Sequence, residues 1–249
     1  MLEQLTPFNI LLLLLGAFGI GFAKSGFAAV SMVHVLTFAF VFGVRPSTGI
    51  LLPLLIIGDC LAVLYFGKHV NWDYVLRLMR PAAVGVALGT YLMGRLDASA
   101  FKPLVGVIIL TLTTMQVIRY WKRDFLENVP HATWFIWTIG VLAGVTTMIA
   151  NAAGPIIAIY LVAVSLPKFE FTGTSSWFFL ILNSFKVPFS AALGLIDGAS
   201  ILLDLSLGPV VYVGLLAGRW AIHRIEQRWF DAMLLGFTAL ASLRLIGLF

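Results

Sequence analysis

Two lysines and one aspartate stand where an apolar sequence has least room for them. Lys24 falls in the break AKSG, Asp59 inside IIGDCLAVL, and Lys186 near the middle of the run from Thr174 to Gly194. A charge at the centre of a bilayer costs about 2.5–3.5 kcal/mol on insertion scales, so such residues are rare, functional by default and in need of partners. Asp59 can pair with either lysine or carry a coupling proton. Two cations against one carboxylate leave the set net positive, which suits an anion better than a cation or a sugar. The bland alternatives are a lysine reaching to the headgroups at position 24 and a structural ion pair with Asp59 at position 186.

The neighbours of these charges are suited to the same task. Lys24, Ser25 and Gly26 precede an apolar run from Phe27, so the N-terminus of the next helix would turn free N–H groups toward the lysine, a ready anion site. A second break, ANAAGP, holds Asn151, Gly154 and Pro155. Asn151 can donate to an oxyanion, Gly154 lets the backbone approach closely, and Pro155 suits a first helical turn. A helix boundary with a capping asparagine would look the same. Asn183 and Lys186, three apart, share a helix face, and Thr174, Ser175 and Ser176 open that stretch. Asp59 is the carboxylate read as lying well inside an apolar stretch, and His34 reads as a hydrogen-bonded core histidine.

Other chemistries lack their residues. Cys60 is the single cysteine, so an internal disulfide or a cysteine metal cluster is excluded. The four histidines, His34, His69, His131 and His223, show no ligand spacing, and no P-loop, dinucleotide fingerprint or zinc motif occurs. No catalytic residue, metal or cofactor is expected, nor any nucleic acid. The pI of about 9.6 reflects the side of the membrane on which the cations lie.

The elements that must position these residues are membrane helices. Of 249 residues, 61% are hydrophobic and 11% charged, against about 25% charged in a soluble domain, and the mean hydropathy is +1.02. Such a chain needs an apolar solvent. No positive n-region marks a cleaved signal, since residues 1–6 carry Glu3 and no Lys or Arg. Ten apolar stretches follow: 8–22, 27–43, 49–66, 78–94, 101–118, 134–149, 155–166, 174–194, 204–219 and 230–248. The first and second, and the sixth and seventh, are short pairs divided by the two breaks, either re-entrant hairpins or two short crossings each. With the N-terminus outside, ten Lys or Arg residues fall on the cytoplasmic side and four (Arg45, Arg95, Lys102, Arg244) opposite. Both termini are then expected to face outward. Trp72, Trp121, Trp134 and Trp229 fall near stretch ends as interfacial residues, and Arg95 and Arg224 as helix-end anchors.

The two halves align. Gly16 falls on Gly140, Gly49 on Gly173 and Asp59 on Asn183, each 124 apart, and Arg95 falls on Arg224, Asp97 on Glu226 and Phe101 on Phe230 after a drift to 129. The expected organisation is one all-α polytopic membrane domain: an N-terminal repeat (1–120), a cytoplasmic linker (121–133) and a C-terminal repeat (134–249). Each repeat has an interrupted or re-entrant helix pair and three spanning helices. An odd count per half makes the repeat inverted in topology, the arrangement many secondary transporters use, with substrate held near the interrupted segments.

At these segments the sequence resembles the TauE/SafE sulfite-exporter family of permeases. The resemblance lies in GIGFAKSGFAAV (19–30), LLPLLIIGD (51–59), IANAAGPIIAIYLV (149–162) and LPKFEFTGTSSWFFLILNSFKVPFSAALGLI (166–196). It implies a permease for a small anion such as sulfite, thiosulfate or an organosulfonate like sulfoacetate, in a bacterial cell (inner) membrane. Lys24 stands where many members have glycine. The expected mechanism is alternating access around a midplane site built from Lys24, Ser25, Gly26, Asn151, Gly154, Pro155, Thr174, Ser175, Asn183 and Lys186. Asp59 would serve as ion-pair partner or coupling group for a proton or Na+. A passive anion channel and a non-transporting assembly subunit are the alternatives, and an oligomer is compatible with either.

Overall fold

The computed structural model describes residues 6–27, 30–121, 133–164, 166–196 and 198–221, and shows no strand among them. The helices are α1 (Pro7–Lys24), α2 (Ser31–Phe42), α3 (Val44–Phe66), α4 (Trp72–Arg95), α5 (Ala98–Trp121), α6 (Thr133–Ala150), α7 (Gly154–Ala163), α8 (Lys168–Ala192) and α9 (Gly198–Ala221). The tenth apolar stretch, the interior of the 121–133 linker, Trp229, His131, His223, Arg224, Glu226, Arg228, Phe230 and Arg244 lie outside the described residues.

Among the described residues, five segments are long and apolar enough to cross a bilayer: Pro7–Lys24, Val44–His69, Trp72–Arg95, Thr133–Ala150 and Ser200–Ala221. α2 and α7 are not. Their 12 and 10 residues reach about 18 and 15 Å at 1.5 Å per residue, short of the ~30 Å hydrocarbon core. Each instead folds back along the helix before it. Phe8 meets Phe40 at 6.3 Å and Phe22 meets Phe27 at 4.7 Å, so α1 and α2 form an antiparallel hairpin. Phe135 meets Tyr160 at 6.2 Å and closes the α6–α7 hairpin likewise.

The hairpin tips follow from local chemistry. α1 starts on a Thr6 cap, whose side chain accepts from the Asn9 N–H at 3.2 Å, with Pro7 in the first turn. It ends before Gly26, whose φ of 108° a side-chain-bearing residue rarely adopts. α6 ends on Asn151, the described non-glycine residue with positive φ (51°); asparagine is the usual substitute for glycine in that conformation. Then Gly154 and Pro155 start α7. α2 begins at Ser31 rather than at Phe27, where the apolar run suggested. α8 and α9 begin at Lys168 and Gly198, ahead of the apolar stretches at 174 and 204: the polar first turn of α8 still satisfies its helical hydrogen bonds, and α9 runs through Ile201, Leu202 and Leu203 before the charge at Asp204. Thr174, Ser175 and Ser176 therefore lie inside α8 rather than opening it.

α3 and α8 cross antiparallel at the centre: a Cβ on Gly49 would strike Leu195, Asp59 bonds Asn183, and Trp177 Nε1 donates to the Gly67 carbonyl at 3.2 Å. Around them α1 packs on α9 and α4 on α6, the two most extensive helix pairs. Both pairs run parallel and approach backbone to backbone. A Cβ on Gly21 would fall on the Val211 carbonyl and one on Gly214 on the Phe18 carbonyl; Gly144 and Ala82, and Gly85 and Val141, stand in the same relation. The main hydrophobic core, including Leu13, Phe38, Leu54, Leu78, Phe178 and Val211, ties the two pairs to the central crossing.

Candidate anion site

The crossing helices carry the polar residues to the hairpin tips. On α3, Asp59 lies fifteen residues after Val44 and seven before Phe66, so about 10 Å of helix continues beyond it at 1.5 Å per residue. Its side chain is fully buried. Lys24, at the end of α1, pairs with Asp59 Oδ1, and Asn183 Nδ2 on α8 donates to Oδ2 at 2.7 Å. Each carboxylate oxygen thus has a donor, as a charge removed from water requires.

The chain of contacts continues through Asn183. Lys186 Nζ donates to the Thr147 carbonyl at 2.9 Å, to Thr147 Oγ1 at 3.1 Å, to Asn151 Oδ1 at 2.6 Å and, at 3.4 Å, to Asn183 Oδ1. Asn151 Nδ2 in turn donates to the Thr48 carbonyl at 2.8 Å. Lys24, Asp59, Asn183, Lys186 and Asn151 therefore form one continuous polar relay joining both hairpin tips to both crossing helices. Lys186 is linked to Asp59 through Asn183, whereas Lys24 pairs with it directly.

The two lysines differ in setting. Lys186 is 1% exposed, and its ammonium hydrogens point at protein oxygens. The Lys24 side chain is 13% exposed, sits 4.7 Å over the Phe179 ring, and lines a cavity of about 70 Å³ between the hairpin tips. Gly26, Asn151, Gly154, Ser175 and Asn183 line it as well. A Cβ on Gly154 would come within 2.9 Å of Ser31 Oγ, so the two tips nearly touch.

Other residues singled out in the sequence serve the frame. Ser25 is fully buried and donates to the Leu215 carbonyl at 3.0 Å, fastening α1 to α9. Thr174 Oγ1 accepts from the Asn71 N–H at 2.9 Å and so caps α4. Pro155 starts α7 and does not line the cavity.

Two expectations are corrected. His34 is buried at 2% exposure, but its Nδ1 has no hydrogen-bond partner among the described residues, and it lines the cavity. Ser31 and His34 are three apart in the α2 run and so share a face, a signal legible in SMVHVL. Asp59 is also not the lone buried carboxylate: Asp204 in α9 is fully buried, and neither oxygen has a partner among the described residues. It is the first residue of the ninth apolar stretch, 204–219. Ser176, Phe171 and Phe179 complete walls that a single apolar run does not reveal. No group of three or more metal-ligating side chains occurs among the described residues.

Lys24 thus stands, partly buried, at a break between two apolar helices and lines the cavity there. The chain belongs to the sulfite exporter TauE/SafE family. The family model matches residues 11–245, nearly the whole chain. No curated protein and no solved structure matches it. Membership in a transporter family, together with five spanning-length apolar helices, makes the TauE/SafE chain a multi-pass integral membrane protein built for export of a small anion.

Proposed function

We propose that this chain is a secondary carrier of a small sulfur oxyanion or organosulfonate (sulfite, thiosulfate or sulfoacetate), bound at the cavity between the hairpin tips. The observation that carries the reading is the position of Lys24: its ammonium borders the cavity while its counter-ion, Asp59, lies behind it. An incoming anion can compete with Asp59 for Lys24 without removing any charge from the relay. Two lysines and one aspartate formally leave the relay one positive charge, which an anion would neutralise. Asn151 and Asn183 border the anion's side of the relay, and Gly154 at the start of α7 lines the same cavity.

Alternating access rests on two inverted halves, residues 1–120 and 134–249 flanking the linker. Helix lengths support this pairing: 18 and 18 for α1 and α6, 12 and 10 for α2 and α7, 23 and 25 for α3 and α8, 24 and 24 for α4 and α9. So does direction, since each helix runs opposite to its counterpart. The shortness of α2 and α7 and the length of α3 beyond Asp59 favour re-entrant pairs over short crossings. In this reading both termini face outward, and Asp59, released when the anion takes Lys24, accepts the coupling proton or Na+.

The test is uptake of radiolabelled sulfite, thiosulfate, sulfoacetate and sulfate into proteoliposomes, with Lys24→Ala beside the parent. Saturable uptake with counterflow acceleration, lost in Lys24→Ala, is expected. Uptake without counterflow would mean a channel. Parent-like uptake by Lys24→Ala would overturn the site.

A further inference from the structure

We infer that His34 is an anion-binding residue of this cavity, presenting an N–H from Nδ1 to an oxygen of the bound anion. The inference rests on the anion-carrier reading and adds to it a residue on the second limb of the first hairpin.

The polar side chains around the cavity are otherwise committed. Lys24 is paired with Asp59, and Asn183 bonds Asp59 and Lys186. Asn151 bonds Thr48 and Lys186. Ser175 and Ser176 both donate to the Thr172 carbonyl, at 3.0 and 2.7 Å. Among the described side chains lining the cavity, His34 Nδ1 is the buried nitrogen left without an internal partner. An imidazole nitrogen removed from water without a partner is destabilising, and polar atoms are rarely left so in native proteins. Hydrophobic packing alone would be served better by leucine or phenylalanine at this place. A ligand oxygen arriving in the cavity would supply the missing acceptor and fix the proton on Nδ1.

The chemistry of the two groups is complementary. Lys24 offers a point charge that attracts any anion, whereas an imidazole N–H is directional. Their combination selects an anion with discrete oxygen acceptors over a spherical halide. Phe171 and Phe179 are apolar parts of the lining, with the Phe179 ring against the Lys24 ammonium, so the anion's oxygens turn to the Lys24 and His34 donors.

The experiment uses the full-length protein and sulfite as probe. Sulfite binding by calorimetry in detergent and uptake into proteoliposomes are measured for the parent, His34→Leu, His34→Asn and His34→Gln. An asparagine amide nitrogen falls near the position of Nδ1, a glutamine amide near Nε2. His34→Leu is expected to weaken sulfite binding about tenfold, the loss of one good hydrogen bond to a charged group. His34→Asn should recover most of that loss and His34→Gln little of it. Parent-like binding by His34→Leu, or rescue by Gln and not Asn, would overturn the assignment. Should the variants fail to fold, ¹⁵N resonances of histidine-labelled parent decide. Sulfite must move one Nδ1 signal, and no movement overturns the inference. A parent that binds sulfite in a His34-dependent way but transports none would sink the carrier reading and leave the site. A parent that transports while His34→Leu keeps its KM would do the reverse.

Discussion

Asn183 Nδ2 donates a 2.7 Å hydrogen bond to Asp59 Oδ2, joining two residues 124 positions apart in the chain. The separation equals the offset that aligns Gly16 with Gly140 and Gly49 with Gly173. In the proposed inverted repeat, residues at corresponding places touch where the symmetry axis passes between the halves. One carries charge and the other does not, so the relay is asymmetric at its centre.

That asymmetry predicts a charge-exchange result. Asn183→Asp sets a second carboxylate against Asp59 and should destabilise the protein, on the scale of ~3–5 kcal/mol seen when a buried pair is broken. Combining it with Asp59→Asn moves the carboxylate from one helix to the other, within reach of Lys186. The double variant should regain at least half of the lost thermal stability in detergent. A double variant as unstable as Asn183→Asp alone would contradict the relay.

Lys24 and Lys186 should separate in their phenotypes. Lys186→Met removes the donor to three oxygens on α6 and its tip and is expected to lower stability more than Lys24→Gln. Lys24→Gln is expected to cut anion uptake at least tenfold, about 1.4 kcal/mol or more, because it removes the charge that borders the cavity. Adding Asp59→Asn to Lys24→Gln should restore stability without restoring uptake. Melting curves and initial uptake rates, measured on the same preparations, check both statements.

Backbone contact between helices makes a graded prediction for glycine. Gly144→Ala and Gly21→Ala each place a methyl on a facing carbonyl and should cost about 1–3 kcal/mol or lower the yield of folded protein. Gly94→Ala meets nothing within 4 Å and should gain up to about 1 kcal/mol from the reduced freedom of the unfolded chain. Equal melting temperatures for all three would refute the packing argument.

Asp204 offers a fourth measurement. Its carboxyl is enclosed in α9 with no partner among the described residues, an arrangement costly for a charge and cheaper for a neutral group. Asp204→Asn should therefore match or exceed the parent in thermal stability. A marked loss would mean that the carboxylate is held by a cation.

Much of this architecture was legible in the sequence, for a physical reason. Hydropathy reports which residues tolerate lipid, so Lys24, Asp59 and Lys186 stood out against apolar runs, and Gly, Ser, Asn and Pro marked both hairpin tips. Hydropathy does not report backbone hydrogen bonding, so the polar first turn of α8 is not legible and Thr174 reads as a helix start; in α9 the charge of Asp204 hides the apolar Ile201, Leu202 and Leu203 before it. Nor does spacing along one helix disclose what faces it. The i, i+3 pair Asn183 and Lys186 was correctly put on one face, but nothing in the chain of letters said that Thr147 and Asn151 would saturate Lys186 and leave Lys24 at the cavity. The unpartnered nitrogen of His34 was invisible for the same reason.

The close pairs α1–α9 and α4–α6 each draw one helix from either side of the sequence midpoint. The tightest packing in this molecule therefore joins the two halves, and a motion hinged at the linker would have to break both pairs. Severing the chain within that linker would yield two fragments, each carrying one hairpin whose supporting fourth helix belongs to the other fragment. Neither should accumulate in a membrane when made alone, and the two made together should reassemble into a single working protein.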